Sequence, residues 1–279
     1  MNRQNRRRPK FGRAVVLIVA AVYFTAPLFS MARFAMQNVL VLKLGWHNLF
    51  DRWSFAAFAD AFHEPGFGTA LGYSARLTVA TVALSLALML PTVLLVQLRL
   101  PKARSAVEFL TVLPYVVPPV ALVAGVAAFF RPNARWFLNS PYSLVPFYVL
   151  LALPFTYRSL DAAARAIDLR ILVDASRSLG TGWIMTVMRV IVPNMSSGLL
   201  SAGFLTTTVV LGEFTIAGLL SRNTFPVFVF SYQSHAARGG IALSLLTIAS
   251  TTALLVVLSL LTRRSRGRRS EHSRDGVLT

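Results

Sequence analysis

The sequence predicts an all-α membrane protein: six transmembrane helices, both termini cytoplasmic, and short helices lying across the cytoplasmic face between the fourth and fifth. Three observations predict it. Hydrophobic residues make up 55% of the chain and charged residues only 14%, with a mean hydropathy of +0.61, where a soluble domain carries roughly 25% charged residues. Long apolar runs alternate with short polar breaks, and a window of about 19 residues separates six of them. Most of the 28 Lys and Arg residues stand in the tails and in alternate loops, all on one side of those runs.

The first run, 13–33, follows Arg3, Arg6, Arg7, Arg8 and Lys10 and starts like a signal peptide. Its apolar stretch is too long for one and no small-residue cleavage site follows cleanly, so it reads as an uncleaved span. The segment 34–74 is the largest region outside. Within it, "WSFAAFADAF" spaces Trp53, Phe55, Phe58 and Phe62 loosely along one helical face. We read an interfacial helix with its aromatics at headgroup depth; a docking surface for an external partner is the sharper alternative. The second span, 75–97, leads to a loop with Arg99, Lys102 and Arg104.

The third span, 107–130, contains "LPYVVPPVAL", and each of its prolines removes a backbone donor and crowds the preceding turn. In lipid such breaks persist where neighbours or a water-lined cavity satisfy the freed carbonyls. Kinked helices beside a pathway and kinks that only shape packing are both open at this point. Pro146 and Pro154 interrupt the fourth span, 142–158; the fifth and sixth are 194–220 and 240–262. The domain reading is a basic cytoplasmic tail over 1–12, a six-span domain over 13–262, and a tail over 263–279. That last tail is too charged to bury a core and is expected to be disordered. Its arginines suit topology and anionic membrane lipid rather than nucleic acid.

Orientation follows from the cations. The N-terminal tail, the loop of Arg99, Lys102 and Arg104, the residues Arg158, Arg165, Arg170, Arg177 and Arg189, and the C-terminal tail share one side. The positive-inside rule makes that side cytoplasmic, and an even number of spans agrees.

The cytoplasmic segment 159–193 is longer than a connector needs. "LDAAARAIDLRILVDASRSLG" is rich in helix formers and free of proline. Asp174 has the side chain of an N-cap for a short run from Ala175 to Leu179, and Gly180 can end that run in a left-handed conformation. Trp183 to Val192 resumes an apolar helical pattern up to Pro193. Short surface helices with a glycine elbow cost ordering entropy for little burial unless a partner packs on them.

Here the chain resembles the permease subunits of binding-protein-dependent ABC importers, which carry E-A-A, then glycine four residues after the second alanine, then I-x-L-P after nine more. This sequence has Asp174-Ala175-Ser176, Gly180 and Val190-Ile191-Val192-Pro193 at that spacing. It departs in identity at four positions, each by a residue of similar size or charge. "VLPYVVPPVAL" looks like the proline-rich third span of these permeases. "LGEFTIAGLL" (211–220) is similar to the end of the fifth span in the spermidine/putrescine-type branch. The resemblance implies a type I importer-like transmembrane domain with a coupling helix between spans four and five, seated in a groove of a separate ATP-binding subunit. Residues Asp174, Ala175, Ser176, Arg177, Leu179, Gly180 and Pro193 would carry that coupling. It further implies a second permease subunit, as a heterodimer or a homodimer, an extracytoplasmic substrate-binding protein, and location in the inner or plasma membrane. A polyamine is the first choice of solute; ferric iron, thiamine, small oxyanions and phosphonates belong to related branches.

The residues support an external ATPase independently. Lys10, Lys43 and Lys102 follow Pro9, Leu42 and Pro101, so no lysine completes a G-x-x-x-x-G-K-[ST] phosphate loop. The four histidines are scattered without zinc-ligand spacing, and no cofactor, metal or catalytic set is expected. Asp161 and Asp168 read as solvated ion pairs with basic neighbours. Glu108 and Arg76 sit at span ends, where snorkelling explains them, and Thr206, Thr207 and Thr208 read as packing donors. Glu213 is the one acid well inside a span, which makes it a functional candidate; the alternative is a helix-bending carboxylate bonded to Thr215 or a neighbouring span. Candidate pathway residues are Glu213, Phe214, Tyr115 and Pro118. A secondary transporter or channel without an ATPase is the rival reading, and a membrane-embedded enzyme a weaker one.

Overall fold

The computed structural model describes residues 10–37, 47, 53–253 and 256. The basic residues of 1–9, the tail 263–279 and the end of the sixth predicted span lie outside the described residues. The described residues form two compact units, one of residues up to Phe67 together with those from Val229 onward, the other Gly68–Phe228. Among them there is no strand, only an isolated bridge between Gln37 and Trp53.

In the first unit, α1 (Lys10–Met36) contains the apolar stretch Ala14–Met36. Its 23 residues reach about 35 Å at about 1.5 Å per residue. An 18-residue window of that stretch has no residue buried by protein, and a helix apolar on every side at this length needs hydrocarbon around it. Its end is pinned by polar contacts: Arg33 Nε donates to Gln37 Oε1 at 2.8 Å, and Arg238 donates to the Gln37 carbonyl at 3.1 Å. The short helix α2 (Ala56–His63) buries Ala57 and Ala61. Phe55 and Phe62 stay exposed, while Phe58 packs on the small cluster of Ala35, Ala57 and Ala242. Phe58 therefore turns partly inward from the aromatic face that the spacing predicts, with its ring still 6.0 Å from that of Phe55. Helical backbone over 237–253 coincides with most of the sixth predicted span.

The second unit contains α3 (Phe67–Leu98), a 3-10 turn (Pro101–Ala103), α4 (Arg104–Val116), α5 (Pro119–Asn133), α6 (Arg135–Asn139), α7 (Leu144–Ala166) and α8 (Leu169–Ser178). It continues with α9 (Trp183–Thr186), a π turn (Val187–Ile191), α10 (Val192–Asn194), α11 (Ser196–Gly212) and α12 (Thr215–Leu219). The helix α13 (Phe225–His235) begins here.

Among the described residues, Ala14–Met36 and Phe67–Leu98 are long and apolar enough to cross a membrane, and counting each of two bent pairs as one span raises the number to four. Six were expected: the third and fifth are each broken, the fourth is not among these spans, and the end of the sixth lies outside the described residues. The proline run breaks the third span outright: Pro101–Val116 and Pro119–Asn133 meet at 89°, with Val117 extended between them and Pro119 opening the next helix. The pair Trp183–Asn194 and Ser196–Gly212 is bent by 78°. The fourth predicted span lies in α7, which runs on to Ala166 and takes Arg158, Asp161 and Arg165 with it.

The helix α7 is central and buries residues on all its sides, from Leu144 to Ala164. One end packs with Leu77, Val210 and Ile216, the other with Val93, Leu169, Val173 and Ile191. Its closest partner is α11, whose buried residues Gly198, Ala202, Thr206 and Val210 repeat every fourth position. Small residues let two backbones approach, which is how helices gain packing energy in lipid. Thr156 and Thr206 share a hydrogen bond of 3.0 Å across that seam, so Thr206 is a packing donor as expected. A Cβ at position 198 would collide with the Ala163 side chain and lie 3.1 Å from the Ser159 carbonyl oxygen. Gly198→Leu is therefore expected to part α7 and α11 at a cost of about 1–3 kcal/mol or more; a thermal midpoint equal to wild type in detergent contradicts this packing.

Ion pairs also tie α7 to α4. Glu108 is not merely snorkelling: it meets Arg158 at 3.1 Å. Asp161 is the larger correction. It is not solvated but 4% exposed; its carboxylate accepts from Gln97 at 2.6 Å and Arg104 at 2.9 Å and forms an ion pair with Arg165 at 3.1 Å. A carboxylate buried this far persists because charged and polar donors surround it.

Candidate functional site: the surface elbow over 169–193

The elbow begins where α7 stops. Leu169, Val173 and Ser176 sit at helical spacing on one face of α8 and are buried. Leu169 and Val173 join the cluster of Leu160, Ala164 and Ile191. Residues Arg170, Ile171, Asp174, Ala175, Arg177 and Ser178 face outward. Asp174 is thus on the exposed middle of α8 and is not an N-cap; Asp168 holds that position. The helix starts six residues earlier than its cap chemistry suggests, because "LRILV" is itself a good amphipathic turn whose Leu169 and Val173 gain burial. Ser176 spends its hydroxyl on the Leu172 carbonyl at 2.8 Å.

Gly180 ends α8 as predicted, with φ +75°. Its N–H donates to the Arg177 carbonyl at 2.9 Å, and the Thr181 N–H donates to the Ser176 carbonyl at 3.0 Å. This double closure satisfies the last carbonyls of the helix and requires a left-handed residue between them. Leu179, just before it, is 84% exposed. Trp183, Ile184, Met185 and Met188 are exposed after it. An apolar group of this kind on a surface marks a contact to be made.

Pro193 shapes the backbone around it. It cannot donate to the carbonyl one turn back, and the chain widens into the π turn, where Val192 N–H donates to the Val187 carbonyl. Asn194 Nδ2 takes up the Val190 carbonyl at 2.8 Å. The resumed helix of 183–192 is accordingly not uniform.

The pathway candidates fall at two breaks. Tyr115, in α4, meets Phe155 edge-on at 5.8 Å, and Pro118 lies at the break itself. Glu213 and Phe214 occupy the break between α11 and α12. Both Glu213 oxygens accept from backbone, from Ile216 N–H at 2.7 Å and Ala217 N–H at 3.2 Å. Its carboxylate therefore caps α12, a place that favours negative charge, and the bonds go to backbone rather than to Thr215.

Sequence reasoning missed the buried Asp161 group under the elbow. The spacing of Asp161 and Arg165 was a visible signal, but Gln97 and Arg104 are reached only through the fold.

No protein-family model matches the sequence, and no curated protein matches it. Among solved structures, the chain is similar to one from the crystal structure of an amino acid ABC transporter with histidines, with a TM-score of 0.50 and 18% sequence identity. The alignment covers 74% of this chain and 97% of that one. At this identity the likeness is one of fold alone.

Proposed function

We propose that this chain is the permease subunit of an ABC importer, with the elbow over 174–193 as its contact to a separate ATP-binding subunit. The observation that carries this reading is the elbow's construction. Asp174 and Arg177 project from an anchored helix, and Leu179 stands bare at a stop that only a left-handed residue closes. The spacing of Asp174, Gly180 and Pro193, the shared fold and the absent phosphate loop point the same way. A second permease subunit and an extracytoplasmic binding protein complete the assembly. Closure of the ATPases would pull the elbows together, and α8, packed against the π turn and clustered with Leu160 and Ala164 of α7, would pass that motion to the helices.

Reconstituted vesicles holding the chain with its partner subunits are expected to take up solute only with ATP. Asp174→Arg is expected to reduce co-purification of the ATPase and uptake by at least about tenfold, since reversing a docking charge costs several kcal/mol. Uptake by the chain alone, driven by an ion gradient, favours the secondary-transporter reading instead.

For the solute, the resemblance of 211–220 favours a polyamine. A specific observation favours an anion: Arg131, Arg135 and Arg222 line one cavity of about 530 Å³ beside Ser221. The ligand bound by the partner binding protein decides between them.

A further inference from the structure

A second cavity flanks the elbow, between the last turns of α3 and the facing sides of α8 and α9, and measures about 780 Å³. Leu94, Leu95 and Leu98 give it an aliphatic wall. Arg99, Arg170 and Arg177 give it a cationic rim on which Asp174 is the acid. All three arginines are exposed, and among the described residues none has an ion-pair partner. The rim is therefore net positive beside an apolar wall. Trp183 lies at its edge, and an indole prefers headgroup depth.

An occupant must be anionic at one end and aliphatic at the other. Free phosphate would answer the arginines and leave the leucines bare. The chain's own C-terminal tail, with Arg263, Arg264, Arg266, Arg268 and Arg269, repels the rim. We propose that this cavity holds an anionic glycerophospholipid, its phosphate between Arg99 and Arg170 and an acyl chain along Leu94, Leu95 and Leu98. Guanidinium groups pair with phosphate oxygens through charge-assisted bonds, and basic pockets at the cytoplasmic ends of membrane helices select anionic headgroups. Such a lipid would support α8 from the membrane side. The inference needs the chain to lie in a membrane with α8 at its surface, and does not depend on coupling to an ATPase.

The test uses the purified full chain without partners or solute. Native mass spectrometry compares retention of phosphatidylglycerol with that of phosphatidylcholine. Wild type is expected to prefer phosphatidylglycerol by about tenfold or more, at about one favourable interaction per arginine. Arg99→Gln with Arg170→Gln is expected to remove the preference, while Arg131→Gln keeps it and millimolar inorganic phosphate does not displace the lipid. On wild type, phosphatidylglycerol with a photoactivatable acyl chain is expected to label 94–98. Equal retention of the two lipids, a preference that survives the double substitution, displacement by phosphate, or labelling confined to other segments overturns the proposal.

Discussion

Gly180→Pro is expected to stop ATP-driven uptake while leaving the chain in the membrane. Gly180 has φ +75°, and proline holds φ near −65°. Its N–H, which donates to Arg177, would also be lost. A left-handed conformation costs a residue with a side chain about 1–3 kcal/mol, so the stop must rearrange and carry Leu179 with it. Space is not the constraint: an added Cβ at 180 meets nothing within 4 Å. The cause can therefore be isolated. Gly180→Asn, which tolerates the left-handed region, is expected to retain most uptake, and Gly180→Val to lose at least about tenfold. Membrane insertion should be the same in all three, because the elbow adds nothing to the apolar spans. Equal uptake by the asparagine and valine variants would show that the left-handed stop is dispensable.

The second large effect is expected at Asp161. Removing its carboxylate takes the acceptor from Gln97 and Arg104 and the ion-pair partner from Arg104 and Arg165. Breaking a buried ion pair costs about 3–5 kcal/mol; here about 2–4 kcal/mol is expected, because the side chains of Arg104 and Arg165 are 38% and 50% exposed and recover some solvation. Asp161→Ala should lower the thermal midpoint in detergent by several degrees, and Asp161→Asn by less, since its amide oxygen still accepts from Gln97. Combining Asp161→Ala with Arg165→Ala should cost less than the sum of the two; strict additivity contradicts a shared interaction. Uptake should fall with stability, because Tyr157, Leu160 and Ala164 next to this carboxylate form the seat of α8.

The glycine elbow and a kink at the proline run are both legible from residues alone, as is the apolar character of α1 and α3; that the kink is a full break is not. Each depends on what a residue does to its own backbone or to its immediate surroundings. Gly180 is left-handed because it alone in that turn has no side chain to oppose it, and Pro118 and Pro119 each remove a backbone donor from the chain. The spacing from Asp174 to Pro193 is likewise a property of the chain.

Other features were decided by residues far away in sequence. Asp161 is solvated or buried according to whether Gln97 and Arg104 reach it, 64 and 57 positions away. Asp174 lies inside a helix rather than at its start because Leu169 and Val173 find a core to enter. Glu213 faces a backbone turn because α12 begins beside it. The angles of 89° and 78° are packing outcomes too: a proline licenses a break, and the neighbours that cover the freed backbone set its direction. Conformational freedom and hydropathy act over a few residues and can be read along the chain; burial of charge and the meeting of helices depend on what the fold brings near, and only the folded protein supplies that.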